Sequence, residues 1–210
     1  MLCLHSIHNN RTPSSLEGDK SLPRPPNPGL EELILEAARK LWKKGGESAL
    51  TMRAVAVAAG TNTPAVYRRF RDRKDILRAL VERIRMEFVG SLEGAATPEE
   101  AGERYLDFAL RHPHEYELFF QLEYELFYSH RSGNKGIKPG RPGVDAMKRK
   151  LAKKFRGAPE DYARLTTSLW MLAHGAAMLL IARTILPQEV KEARTIFSAS
   201  VAALLKTPDL

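Results

Sequence analysis

Residues Leu50 to Leu77 read LTMRAVAVAAGTNTPAVYRRFRDRKDIL, and the organisation of the chain can be worked outward from them. Thr51 is suited to cap a short helix whose inward face would be Val55 and Ala58-Ala59. Gly60 falls where a tight turn needs a positive φ. Asn62 can cap a further helix from Thr63 to about Phe70, with Pro64 tolerated in its first turn. Val66 and Phe70, at i and i+4, would pack inward, with Ala65 or Ala58 closing the core. Thr63, Pro64, Tyr67 and Arg68 then point elsewhere. Asp72 opens a fourth helix with Asp75 in its first turn, and its apolar stripe is Ile76, Leu77, Leu80, Val81, Ile84 and Phe88.

Upstream, Leu30, Leu33, Ile34, Ala37, Ala38, Leu41 and Trp42 share one helical stripe, and Gly45-Gly46 is a stop signal. A leading amphipathic helix followed by short helix, glycine turn and short helix is a three-helix helix-turn-helix unit. It is expected to span residues 30–91. Residues 1–29 hold five prolines without helical or strand periodicity and read as a disordered tail.

Downstream, residues 92–210 form a second helical domain. Its helices are expected from Pro98 to Arg111, over a short aromatic segment opened by Pro113, and from Val144 to Phe155. Two more are expected from Pro159 to about Leu186 and from Pro187 to Lys206, with Ser129 to Gly143 as a loop. No segment has strand periodicity and no repeat of fixed period is present, so the fold class is all-α.

The chain has 210 residues, 43% hydrophobic and 28% charged, and a formal net charge of +8. That charge leans toward polyanionic partners. Between Thr63 and Arg85 eight basic residues face three acidic ones, so more than half of the excess sits beside the helix-turn-helix. A second basic run, His130 to Arg156, has ten Lys/Arg and one acid, and reads as a balance for the acidic stretch Glu99 to Glu125 or as a solvated face. The lone Cys3 excludes an internal disulfide framework and a Cys-rich zinc site. The most apolar run, Leu169 to Ala182, falls short of the roughly twenty residues a membrane span needs. The first ten residues lack a signal-peptide core, so a cytoplasmic location without membrane attachment is expected. Walker, dinucleotide, zincin and nucleophile-elbow motifs are absent, so no enzyme activity, catalytic residue, metal or cofactor is expected.

The spacing of Ala59-Gly60-Thr61-Asn62, Tyr67-Arg-Arg-Phe70 and Lys74-Asp75-Ile76-Leu77 resembles the TetR family of bacterial transcriptional regulators, over Leu30 to about Phe88. Thr61 stands where the family usually has valine and Asn62 where it has serine. Arg73 stands where serine or asparagine is common, and is a candidate for an added phosphate contact. The resemblance implies a DNA-binding set of Thr51, Asn62, Thr63, Pro64, Ala65, Tyr67, Arg68 and Lys74. Thr51, Tyr67 and Lys74 would meet phosphates, whereas Thr63, Pro64, Ala65 and Arg68 would lie nearest to base edges. The tail's Arg24 reads as passive. Two other readings stay open: a helical ligand-binding protein without DNA affinity, and a basic protein that binds any duplex without operator preference.

Two features concern the second domain. The helices at Pro159–Leu186 and Pro187–Lys206 are apolar too far round for one intramolecular face. In a TetR-like homodimer they would form a four-helix bundle, with Leu172, Ala176, Leu179, Phe197, Val201, Leu204 and Leu205 as candidate interface residues. Trp170-Met-Leu-Ala-His174-Gly175 and His112-Pro113 resemble a W…HG subfamily of TetR C-terminal domains. A pocket for a small apolar or aromatic effector would then be lined by Tyr116, Phe119, Phe120, Trp170, Met171, His174 and Met178. On residue types alone these side chains are equally core filler, His174 satisfied by a neighbouring carbonyl and Gly175 admitting a close helix. The implied function is a ligand-responsive, homodimeric DNA-binding regulator, a repressor released from a palindromic double-stranded operator.

Overall fold

The computed structural model describes residues 29–123 and 142–208. The expectations for the tail, for Cys3 and for most of the loop Ser129 to Gly143 lie outside the described residues. Among the described residues there are helices and turns and no strands, in agreement with the all-α expectation. None of these helices is long and apolar enough to cross a membrane, and no group of three or more His, Cys, Asp and Glu could hold a metal ion.

The first three helices are α1 (Leu30–Ala49), α2 (Met52–Ala58) and α3 (Thr63–Tyr67). Each short helix begins where a polar side chain replaces a missing helical partner: Thr51 accepts from the Ala54 amide at 3.1 Å and Asn62 from the Ala65 amide at 2.9 Å. Gly60 joins them at φ +66°, a conformation that a Cβ would strain. Gly45-Gly46 does not end α1 outright. The backbone leaves helical angles at both residues, and one further turn follows to Ala49. Ile34, Ala38, Leu50, Val55, Val66 and Phe70 close the three-helix core. Ala58 is exposed, so the inward face of α2 is Val55, Ala56 and Ala59.

Helix α4 (Arg73–Glu93) starts at Asp72, which accepts from the Asp75 amide at 2.9 Å, and buries the whole expected stripe from Ile76 to Phe88. It continues past the core of the first three helices and packs on α5 (Pro98–Arg111), α6 (Pro113–Glu123) and α7 (Pro142–Phe155). The long apolar segment splits into a 3₁₀ turn at Pro159–Tyr162 and α8 (Ala163–Ile181). The last segment splits likewise into Pro187–Glu189 and α9 (Val190–Leu204). Helices α8 and α9 pack on α5, where a Cβ on Gly102 would come within 3.3 Å of Phe197. Small size at Gly102 is what lets α9 seat this closely.

The basic run on α7 is largely paired. Lys154 meets Glu99 at 2.7 Å, Arg149 meets Glu93 at 3.2 Å, and Lys150 reaches the carbonyls of Glu93 and Ala95. These bonds hold α7 against the turn between α4 and α5.

Candidate nucleic-acid interface and buried cavity

The surface of α3 follows from its burial pattern. Val66 and Phe70 are in the core, so Tyr67, 54% exposed, and Arg68 project outward one and two residues beyond Val66. Pro64 is exposed and Thr63 half-buried on the same short helix. Ala65 is only 5% exposed, which removes it from the expected base-contacting set. It sits on the buried face beside Val66, where its methyl group packs and its amide is capped by Asn62. Thr51 and Lys74 are exposed at the starts of α2 and α4, and Asn62 is exposed with its amide oxygen engaged in capping.

Charge on this surface is smaller than the sequence count and differently distributed. Arg73 is tied back to the end of α1, donating to the Glu47 carboxylate at 2.6 Å and to the Glu47 carbonyl at 3.2 Å, so it is not placed as a further phosphate contact. Arg83 joins Glu32 at 2.7 Å and Glu36 at 3.1 Å, and Arg85 pairs with Glu82 at 2.5 Å. Exposed around α3 are Arg68, Arg69, Arg71 and Lys74, together with Arg53 on α2. Arg53 is an outward position of α2 that sequence reading did not single out, because it lies outside the basic run from Thr63 to Arg85. A cluster of cations around one exposed short helix suits a phosphate backbone on either side of a groove.

The helical bundle forms a partly open cavity of about 390 Å³, within the ordinary range for small-molecule sites. Arg85, Phe88, Val89 and Leu92 of α4 form one wall and Thr166, Leu169, Trp170, Ala173 and His174 of α8 another. Tyr105, Phe119, Phe120 and Met147 complete most of the lining. Of the expected pocket residues, Phe119, Phe120, Trp170 and His174 are there. Tyr116 lies behind the lining, fully buried, with its hydroxyl 2.7 Å from His174 Nδ1 and 2.9 Å from the Tyr105 hydroxyl. Met171, 60% exposed, and Met178 are on the outer face of α8 and do not line the cavity.

Phe197 and Val201 were expected between subunits but line this cavity, and Leu205 is buried beside them in the chain's own core. Leu172, Ala176 and Leu204 are half-buried against the same core. Leu179, 47% exposed, remains outward with Met171, Gly175 and Met178 on α8, and Ile196, 59% exposed, is outward on α9. The apolar faces are as wide as the periodicity implies, but Met171 and Met178 turn outward while Phe197, Val201 and Leu205 turn inward: helix phase alone does not say which side a neighbouring helix covers.

The polar groups of the cavity form a short relay. The Tyr105 and Tyr116 hydroxyls are bonded to each other and the Tyr116 hydroxyl to His174 Nδ1, so the three side chains form one connected chain. Burial holds the His174 imidazole below its ordinary pKa, and burial, then the neighbouring Tyr105, pushes the Tyr116 phenol well up. Both are neutral at physiological pH. Phe88 touches this group edge-on, with ring centroids 5.0 Å from Tyr105 and 6.3 Å from Tyr116.

A second polar cluster bolts the two halves of the molecule together. Glu115, 1% exposed on α6, receives Arg39 Nε at 3.0 Å and Lys43 Nζ at 2.6 Å, both from α1. Arg39 also forks onto Glu87 of α4 through two bonds of 3.0 Å. Burial raises the Glu115 carboxyl, but the bonds from Lys43 and Arg39 outweigh it and hold the group below its ordinary value. Sequence reading missed this cluster because its members lie 76 residues apart.

Comparison with known proteins bears on both sites. The family described as "Bacterial regulatory proteins, tetR family" matches residues 34–80, and "Tetracyclin repressor-like, C-terminal domain" matches residues 99–204. No curated protein matches. Among solved structures, a protein of unknown function from Rhodococcus sp. RHA1 is similar at a TM-score of 0.68 and 21% identity, covering 84% of this chain and 94% of that one. A TetR transcriptional regulator from Streptomyces coelicolor is similar at 0.60 and 18% identity, covering 85% and 97%. A single-substitution variant of TetR from Acinetobacter baumannii AYE, in complex with minocycline, is similar at 0.54 and 15% identity, covering 83% and 93%. At these identities the likeness is one of fold.

Proposed function

Because this chain belongs to the TetR family of bacterial regulatory proteins, we propose that its α3 reads a palindromic operator as half of a homodimer and that an apolar or aromatic small molecule in the cavity releases it. TetR family regulators are DNA-binding transcriptional repressors with ligand-binding C-terminal domains, not enzymes, and they form homodimers.

One observation carries the reading: α3 buries Val66 and Phe70 while Tyr67 and Arg68 stand out among exposed cations. Arg68, with Thr63 and Pro64, is assigned to base edges, and its guanidinium suits the two acceptors of a guanine. Tyr67, Thr51, Lys74 and Arg53 are assigned to phosphates, which fix position without reading sequence. Two copies of α3 must lie about one helical turn, roughly 34 Å, apart to engage successive major grooves. The outward stripe of Met171, Gly175, Met178 and Leu179 on α8, with Ile196 on α9, is the face assigned to the partner subunit. No described neighbour outside its own helix comes within 4 Å of where a Gly175 Cβ would be, which leaves room there for a second helix.

Release follows from α4. Its first residue comes shortly after the recognition helix, and its C-terminal part, Arg85 to Leu92, is cavity wall. Two conformers that differ in the tilt of α4 differ in the spacing of the two α3 helices, and an effector that fits one of them better shifts the population toward it. The bound minocycline of the Acinetobacter baumannii relative gives the fold a precedent for a small ligand.

Selection of bound oligonucleotides from a random duplex pool tests the reading. Enrichment of a palindrome supports it, and a pool that stays random while still binding refutes it in favour of sequence-indifferent attachment.

A further inference from the structure

The cavity is apolar almost throughout, and its few polar groups define what it can hold. Thr166 is 1% exposed, lines the cavity, and its hydroxyl has no hydrogen-bond partner among the described residues. A buried hydroxyl without a partner is a standing cost that a ligand oxygen would remove. Thr166, Trp170 and His174 recur every four residues on α8, so the two polar ends stand about 12 Å apart along the axis with the indole between them. The indole and imidazole rings are stacked, centroids 5.9 Å apart. Phe88 and Phe120 line the cavity from α4 and α6.

Charge is the other constraint. Among the described lining residues Arg85 is the one permanently charged side chain, and Glu82 holds it through two bonds, Nε at 2.7 Å and a terminal nitrogen at 2.5 Å. His174 is neutral, and the Tyr105 and Tyr116 phenols are bonded to each other. An ionised ligand would therefore enter an apolar space that offers no spare counter-charge among the described residues, which is strongly unfavourable.

We infer that the cavity selects an uncharged, elongated aromatic molecule carrying a hydroxyl or carbonyl oxygen that hydrogen-bonds to Thr166. The inference rests on reading this cavity as the effector site, and names the ligand class for it. The aromatic body lies along Trp170 and against the Phe88–Phe120 pair, whose rings meet edge to face, and the oxygen-bearing end meets the threonine hydroxyl.

Three matched probes test it on the full-length protein by calorimetry near neutral pH: biphenyl, 4-hydroxybiphenyl and biphenyl-4-carboxylate. The hydroxyl should improve affinity over biphenyl by about tenfold, the worth of one net hydrogen bond, and the carboxylate should bind weakest. Thr166→Val should abolish the preference for 4-hydroxybiphenyl and leave biphenyl unchanged, while Thr166→Ser should keep the preference. In the ligand-free protein Thr166→Val should also raise the melting temperature, because a methyl group fills the place of the unpartnered hydroxyl. Tightest binding by the carboxylate, an undiminished preference in Thr166→Val, or no binding of any probe overturns the inference. Operator binding measured on the same preparation separates the two readings: intact operator binding with probe failure overturns the ligand class alone, and probe binding without operator recognition overturns the repressor reading alone.

Discussion

Removing the carboxylate of Glu115 should loosen the molecule at the joint between its two halves. Glu115 Oε1 receives Arg39 at 3.0 Å and Lys43 at 2.6 Å, and His112 Nδ1 is 3.8 Å away. Stripping one partner from a buried ion pair costs about 3–5 kcal/mol because the remaining charge is left desolvated. Two features place Glu115→Ala at the low end of that range. Lys43 is 44% exposed and regains water, and Arg39 keeps its two bonds to Glu87. A loss of about 3 kcal/mol corresponds to a melting temperature lower by roughly 6–12 °C in a chain of this size.

The same residue adjoins Tyr116, whose hydroxyl reaches His174 in the cavity wall at 2.7 Å. A ligand that shifts the Tyr116–His174 pair is therefore expected to disturb the anchor of α1. In Glu115→Ala the effector-induced loss of operator affinity, about 5–150-fold for a typical coupling, should shrink, while ligand-free operator affinity at low temperature stays within a few-fold. The pH dependence supplies a further check. The folded-state pKa of Glu115 lies below the ordinary value of 4.5, so its contribution is complete above that value and is lost as pH falls through the folded pKa. Glu115→Gln should flatten that acid limb. Thermal melts from about pH 3 to about pH 7, with fluorescence anisotropy on operator DNA, measure all of this. A melting temperature within about 1 °C of the parent, with an unchanged acid limb and unchanged coupling, would show that the cluster is ordinary surface electrostatics.

Arg68→Ala should relax sequence preference at one base position, by about 1–3 kcal/mol, whereas Lys74→Ala should weaken all sequences alike and lower the salt slope by about one; identical behaviour of the two variants contradicts the division of contacts. Asn62→Ala removes the cap on α3 and should cost about 1 kcal/mol by chemical denaturation, with operator affinity falling further than global stability. Leu179→Glu with Ile196→Glu should yield folded monomers that bind operator poorly, and sedimentation of an intact dimer would reject the assigned face. His174 takes up a proton less readily in the buried site than in the unfolded chain, so stability should fall as pH drops below about 6.5. His174→Gln should lose that part of the decline, and a melt series between about pH 7.5 and about pH 5.5 that matches the parent would disprove it.

Local chemistry made the helix-turn-helix legible. Thr51, Asn62 and Asp72 cap helices through bonds that span three residues, and Gly60 takes its positive φ within a single turn, so composition and spacing suffice to place them. The alternation of buried Val66 and Phe70 with outward Tyr67 and Arg68 is equally a matter of helical period. The second domain was legible as helices but only in part as a site: Phe119, Phe120, Trp170 and His174 line the cavity, whereas Tyr116, Met171 and Met178 do not. Periodicity reports how wide an apolar face is, and α8 and α9 are apolar on two sides, so only their packing against α5 decides that Phe197 and Val201 turn inward while Met171, Met178 and Ile196 turn out.

Charge behaved in the same way. A count of basic residues does not distinguish Arg68, which stands in solvent, from Arg73 and Arg83, which are bound to acids far along the chain. The Glu115 bolt and the unpartnered Thr166 hydroxyl depend on residues brought together from distant helices. By itself the sequence determined the helices, their caps and the face that α3 exposes, because those are set within a few residues. Only the tertiary structure decided which apolar face encloses the cavity, which cations are spent on ion pairs and how α1 is tied to α6, because those depend on which helix comes to lie against which.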